Sequence, residues 1–323
     1  MLFQLQKGTT EPDPQKIAFF DRLFRGSSRL AAVSVLVLIL SILVSLLLGA
    51  IPALGKFGFG FLISTQWNPV TENFGALVAI FGTLVTSAIA ILLALPLSFG
   101  IAMFITELAP PWLKRPVGTA IELLAAIPSI IYGMWGLFVF APWFADNVQP
   151  WMTAQLGGLP WIGYLFQGPP MGIGILTAGL VLAIMVLPFI SAMMRDVFEI
   201  VPKPLKESAY GLGATTWEVL CHIVLPYTKS GIVGSALLGL GRALGETMAV
   251  TFVIGNAQRI HGSLFMPGTT ISSTLANEFT EAVGDLYTSS LFALGLMLFF
   301  ITMAVLVLAK LLLARSAKPA PTG

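Results

Sequence analysis

A single cysteine, Cys221, and two histidines, His222 and His261, are the only thiol and imidazole groups in a chain of 323 residues. One thiol closes no intrachain disulfide, and two histidines without Cys or His at ligand spacing hold neither a structural zinc nor a redox centre. Charge is also scarce. Only 10% of residues are Asp, Glu, Lys or Arg, against roughly 25% in a soluble domain. The net charge of +2 leaves no basic field for nucleic acid and no acidic solvating tail. A lipid-directed membrane enzyme would need His, Asp or Glu gathered near one membrane face, and two scattered histidines supply no such catalytic cluster. A G-x-x-x-x-G-K-[ST] phosphate loop is lacking too, which excludes a P-loop ATPase. What the chain has is apolar surface: 56% hydrophobic residues and a mean hydropathy of +0.90 describe an integral membrane protein.

A membrane span needs about 20 predominantly apolar residues, and six intervals qualify. Residues 30–56 form a first anchor, far longer than the apolar core of a signal peptide. Spans two to six are residues 74–104, 119–140, 171–194, 231–254 and 291–313. Span three carries Glu122 near its start, span five carries Arg242 and Glu246, and span six carries Lys310 near its end. The fold class is therefore all-α, with six transmembrane helices. Residues 1–29 read as a cytoplasmic tail, 74–313 as the transmembrane domain, and 314–323 as a second tail ending in a disordered KPAPTG.

Cytoplasmic loops carry an excess of Lys and Arg. Lys7, Lys16, Arg22, Arg25 and Arg29 precede span one; Lys114 and Arg115 follow span two; Arg195, Lys203, Lys206 and Lys229 follow span four; Lys310, Arg315 and Lys318 end the chain. The opposite side has only Lys56 and Arg259. Both termini are thus expected in the cytoplasm. The outer loop, 141–170, lacks Lys and Arg and interleaves Trp143, Trp151 and Trp161 with prolines, which suits short re-entrant pieces anchored in the headgroup layer. Pro96, Pro128 and Pro188 each remove a backbone hydrogen bond within or at the end of a span, and kinks are expected there.

The cytoplasmic loop 195–229 is too long to be a mere connector. Its core, Glu207-Ser208-Ala209, then Gly213, then Ile223, Leu225 and Pro226, spells E-x-A-x3-G-x9-I-x-L-P. Pro204 can open a helix with Glu207 in its first turn; Ala209 and Gly213, four apart, leave a notch on one face. Gly213 breaks this helix, and Thr215 or Thr216 can cap a second short one running through Trp217 to Val224. This spacing resembles the EAA loop of the membrane subunits of ABC importers, with Ser208 where the family usually has Ala. The resemblance implies that Glu207, Ser208, Ala209, Gly213, Ile223, Leu225 and Pro226 form coupling helices that sit in a cleft of an ATPase subunit.

Span five holds the remaining charge. At 1.5 Å per residue, Arg242 lies roughly 16 Å past Gly231, near the bilayer midplane. A lone cation there costs about 2.5–3.5 kcal/mol. Glu246 follows at i+4 and faces the same side, so the pair either neutralises itself or marks a substrate path. A guanidinium fork matches tetrahedral oxyanions with two parallel hydrogen bonds. A carboxylate can accept a hydrogen bond from a protonated phosphate oxygen, which sulfate lacks at neutral pH; alternatively Glu246 holds Arg242 until substrate displaces it. Thr247 is a further candidate for the path. Gly241 and Gly245 form a G-x-x-x-G suited to close packing between membrane subunits.

The strings GRALGETMAVTFVIGN (241–256) and IPSIIYGMWGLFVFAPWF (127–144), with Trp67-Asn68-Pro69 and GTLVTS (82–87), resemble the PstC-type permeases of phosphate ABC importers. That likeness extends from span one to span six. It implies a type I importer permease (MetI-like) with cytoplasmic coupling helices in the bacterial inner membrane, surrounded by membrane lipid. It also implies a second permease (PstA-type), an ABC ATPase dimer (PstB-type) and an extracytoplasmic phosphate-binding protein (PstS-type). No cofactor is expected on the chain itself; ATP and Mg act through the ATPase. Moving an anion into a negative interior costs about 2.3 kcal/mol per charge per 100 mV, so accumulation needs a driven permease rather than a passive channel. A permease for molybdate or sulfate is the alternative. The hydroxyl cluster from Gly268 to Thr274 either caps a helix or offers donors to an oxyanion. Asn256, Arg259 and His261 on the same outer loop are solvated or touch a binding protein.

Overall fold

The computed structural model describes residues 14–316, with side chains from 18 to 311. The expected tail ends, 1–13 and 317–323, lie outside the described residues. Helix α1 (Pro14–Phe57) is followed by a short α2 (Gly60–Ile63) and an antiparallel hairpin of β1 (Trp67–Asn68) and β2 (Asn73–Phe74). Then come α3 (Leu77–Met103), α4 (Pro111–Ala126), α5 (Ser129–Trp135), α6 (Ala141–Trp143), α7 (Gln149–Leu156) and α8 (Ile175–Glu199). The chain ends with α9 (Lys203–Gly211), α10 (Thr216–Val219), α11 (Leu225–Gly245), α12 (Met248–Ile254), α13 (Ile271–Glu278) and α14 (Asp285–Ser316). Five helical stretches are long and apolar enough to cross a membrane, and α4 with the helical run from Ser129 to Leu156 makes a sixth, bent by 88°. The six-span expectation holds with that bent pair counted as one span.

Small residues let the backbones meet. A Cβ on Gly179 of α8 would fall 2.7 Å from Ile89 of α3, and one on Gly239 of α11 would fall 2.4 Å from Ile190 of α8. Ser98 of α3 donates to the carbonyl of Leu187 at 2.9 Å. Helix α8 is the centre of the bundle, with Val181, Leu182, Val186, Ile190 and Met194 fully enclosed. Helix α1 is peripheral: Gly49 and Leu46 meet Phe292 and Gly295 of α14 and Ala50 and Ala53 are buried, while most of its other apolar side chains face outward as a lipid-exposed anchor would.

Two spans are interrupted by helix breaks, the first at Pro128, where a kink was expected. Span three is no single straight helix, because Ile127 before Pro128 takes an extended conformation (φ −64°, ψ 130°) and the chain turns sharply. Span five ends early: α11 stops at Gly245, Glu246 is extended (φ −67°, ψ 129°), and α12 starts afresh at Met248. Gly245 lacks a side chain to defend the helix, and the Glu246 carboxylate accepts the Ala249 N–H of the new first turn at 3.3 Å.

In the loop between the fourth and fifth spans, Pro204 sits in the first turn of α9 and Gly213 ends the segment with φ +87°. Thr215 caps α10 in a reciprocal box with Glu218. Glu207, however, is past the first turn, since α9 begins at Lys203. The second coupling segment is not a separate short helix either. From Thr216 it runs through a wider π turn at Leu220–Val224 straight into α11. The outer loop is helical through Leu156, and Trp143, Trp151 and Trp161 are exposed on it.

Candidate translocation site

Each break frees backbone groups that must be satisfied at membrane depth, where irregular backbone is tolerated only inside protein or beside a polar cavity. Pro128 cannot donate to the carbonyl four residues back, that of Leu124. The phenol of Tyr132, one turn into α5, donates to it instead at 2.8 Å. The second break lies against the first. Helix α12 packs on α5 through Gly133, whose Cβ would fall 2.9 Å from Phe252 and 3.0 Å from the Ala249 Cα.

Arg242 is in the last turn of α11, the helix that the second break ends. Its guanidinium lies over the Phe189 ring of α8, 5.4 Å from the centroid, and within electrostatic reach of Tyr132. Helix α12, about 10 Å long at 1.5 Å per residue, continues beyond it to meet the outer loops, where the Val253 carbonyl accepts from Gly174 and the Ile254 carbonyl from Gly268, both at 3.0 Å. Arg242 itself is exposed on the single chain, at the inner end of that junction. Among the described residues it makes no ion pair. The expected i+4 relation with Glu246 is absent, because the helix that would align them ends between them and the carboxylate is turned to cap α12. Thr247 is on a different wall: with Gly245 and Ser272 it lines an apolar cavity of about 420 Å³ toward α13 and α14. Gly241 and Gly245 line a second apolar groove of about 530 Å³ with Leu46, Gly295 and Leu298. Tyr132 and Phe189 are the members that sequence reasoning missed; a Tyr four residues past a mid-span Pro was the one available signal.

The hydroxyl cluster resolves in favour of capping. Thr270 accepts from Ser273 N at 3.1 Å to cap α13, and Thr83 of α3 accepts from Ile271 N at 2.9 Å. Asn256 turns inward, taking a hydrogen bond from Ser273 and donating to the Thr251 carbonyl at 3.1 Å.

In the loop that carries α9 and α10, Ala209, Ile223 and Leu225 pack against the core, so these motif residues shape the loop from within. Glu207, Ser208, Gly213 and Pro226 are exposed. Beside them an apolar ridge points outward: Leu212, Trp217 and Tyr210 are 90%, 66% and 43% exposed. Sequence reasoning did not single out Leu212, which sits at the tip beside Gly213.

Six candidate spans, two of them broken where they adjoin, and a long exposed loop between the fourth and fifth suit the membrane subunit of a transporter. The family model for the "binding-protein-dependent transport system inner membrane component" matches residues 94–318, and the chain belongs to that family. Its relatives are narrower in kind. The chain is 60% identical over 301 residues to the phosphate transport system permease protein PstC of Mesorhizobium japonicum, covering 93% of this chain and 92% of that one. It is 39% identical over 262 residues to a probable PstC of Methanocaldococcus jannaschii, covering 79% and 82%. A bacterial ABC transporter for the acidic polysaccharide alginate matches with a TM-score of 0.58 at 19% identity, over 92% of this chain and all (100%) of that one. The inward-facing MetNI methionine ABC transporter gives 0.55 at 15%, over 79% and 100%. The fold is that of an ABC importer permease.

Proposed function

We propose that this chain is a phosphate permease subunit of an ATP-driven importer, forming half of the translocation path. The observation that carries the reading is Arg242: a guanidinium without a carboxylate partner among the described residues, set where two broken spans adjoin. Discontinuous helices at mid-membrane are where transporters place their binding sites. A planar five-donor fork there selects an oxyanion over a neutral solute. The likeness to PstC proteins supports phosphate as that oxyanion. Partners follow from the same reading: a PstA-type permease against the free apolar grooves, a PstB-type ATPase dimer binding ATP and Mg on the exposed ridge of the coupling loop, and a PstS-type binding protein outside. The distribution of Lys and Arg supports termini in the cytoplasm. The permease breaks no covalent bond; ATP at the coupling loop would switch the two permeases between outward-open and inward-open packings.

The test is ATP-dependent uptake of labelled phosphate by proteoliposomes holding the assembled complex, with excess sulfate as competitor, for wild type and Arg242→Gln. Wild type takes up phosphate despite sulfate, and the variant assembles without transporting. No phosphate uptake by wild type would remove phosphate as the substrate, and uptake blocked by sulfate would remove the selectivity; normal uptake by the variant would remove Arg242 from the path.

A further inference from the structure

Between the ends of α3, α4 and α8 and the start of α9 lies a cavity of about 590 Å³ that Arg242 does not line. Its walls carry Lys114, Arg115, Arg195, Lys203 and Lys206 against only Glu122 and Glu199. Compensation is uneven. Arg195 is held by Glu122 at 2.7 Å and Asp196 at 2.9 Å, and Lys206 by Glu107 at 2.5 Å. Among the described residues no carboxylate pairs with Lys114, Arg115 or Lys203; Lys114 donates only to the carbonyl of Thr106, at 2.5 Å. The Nε of Arg195 is buried without a hydrogen-bond partner, with only the Glu199 carboxylate 4.0 Å away. Gly118 keeps the wall open, since a Cβ there would fall 2.8 Å from a terminal nitrogen of Arg195. Like charges gathered in one cleft repel unless an anion sits among them, and basic pockets between membrane helices at headgroup level suit phosphorylated headgroups.

We propose that this cavity binds a phosphate group, supplied by an anionic phospholipid headgroup or by inorganic phosphate from the cytoplasm. It joins α4, which leads into the bend at Pro128, to α9, which carries the coupling segment. An occupant therefore ties the membrane bend to the part that meets the ATPase. The binding readout below does not depend on the transport reading; only the rate readout does.

The assembled complex, wild type and Lys114→Gln/Arg115→Gln, is placed in phosphatidylcholine nanodiscs with or without phosphatidylglycerol. Phosphatidylglycerol retained on the complex is measured by native mass spectrometry, and ATPase rate without binding protein is followed against added inorganic phosphate. A lipid occupant gives retention that is roughly 30-fold weaker in the variant, from two lost cations near the surface. A free-phosphate occupant instead gives a phosphate-dependent rate in phosphatidylcholine alone, lost in the variant. Lys114→Arg/Arg115→Lys restores either response. Arg115→Gln alone, at an exposed position, replaces the double variant should that fail to assemble. Equal retention and equal rate response in wild type and variant overturn the proposal, whether or not the complex imports phosphate.

Discussion

The hydroxyl of Tyr132 donates to the carbonyl of Leu124 at 2.8 Å, across the bend that Pro128 makes in the third span. Without it that carbonyl keeps only a 3.3 Å bond from Ile127 N. Tyr132→Phe preserves the ring and deletes this one bond, a net loss of about 1 kcal/mol. The expected outcome is a small fall in the thermal midpoint of the complex and a several-fold slower phosphate uptake, because the bend beside Arg242 is no longer fixed. Unchanged uptake would mean that the bend is held by packing alone.

Glu246 separates two readings by its side-chain chemistry. As the acceptor for the Ala249 N–H, it is replaceable by Gln, which keeps the carbonyl oxygen, whereas Glu246→Ala forfeits a helix cap worth about 1 kcal/mol. If the carboxylate neutralised Arg242, Gln would be as harmful as Ala. Thermal unfolding and uptake of both variants are expected to rank wild type, Gln, then Ala.

This difference also marks where the sequence stopped being legible. The cytoplasmic loop was readable because its signals are local: Pro204 opens α9, Gly213 takes a positive φ no other residue adopts cheaply, and Thr215 with Glu218 closes a capping box. The six apolar stretches were readable for the same reason. The break at Gly245 was not, since no proline interrupts 231–254 and the interruption depends on α12 packing against α5 and α8. Likewise Pro128 announced a kink, but its 88° amplitude comes from how α4 and α5 dock on neighbours. Arg242 was legible as an intramembrane cation; its neighbours Phe189 and Tyr132, contributed by other spans, were not.

Lys206 of α9 and Glu107 at the end of α3 form an ion pair at 2.5 Å with side chains 18% and 8% exposed. Removing one partner from so enclosed a pair strands the other charge, at about 3–5 kcal/mol, whereas replacing both by apolar groups is often neutral. Lys206→Met is therefore expected to lower the thermal midpoint and loosen the coupling segment. The double variant Lys206→Met/Glu107→Leu should recover the midpoint. Failure of the double variant to recover would show that the charges themselves, rather than their mutual compensation, hold α9 in place.

Leu212 is 90% exposed at the tip between α9 and α10, an apolar side chain with no packing role in the chain itself. A leucine moved from water into a partner's cleft contributes about 1.5–3 kcal/mol. Leu212→Ser is thus expected to leave the unfolding temperature of the permease unchanged while weakening capture of the ATPase subunit at least about tenfold. Ala209, by contrast, packs against the core below the loop. Ala209→Leu should disturb the fold as well as the docking. Co-purification of the ATPase, measured beside thermal unfolding of each variant, separates the two effects. Full ATPase capture by Leu212→Ser would place the docking surface elsewhere on the cytoplasmic face.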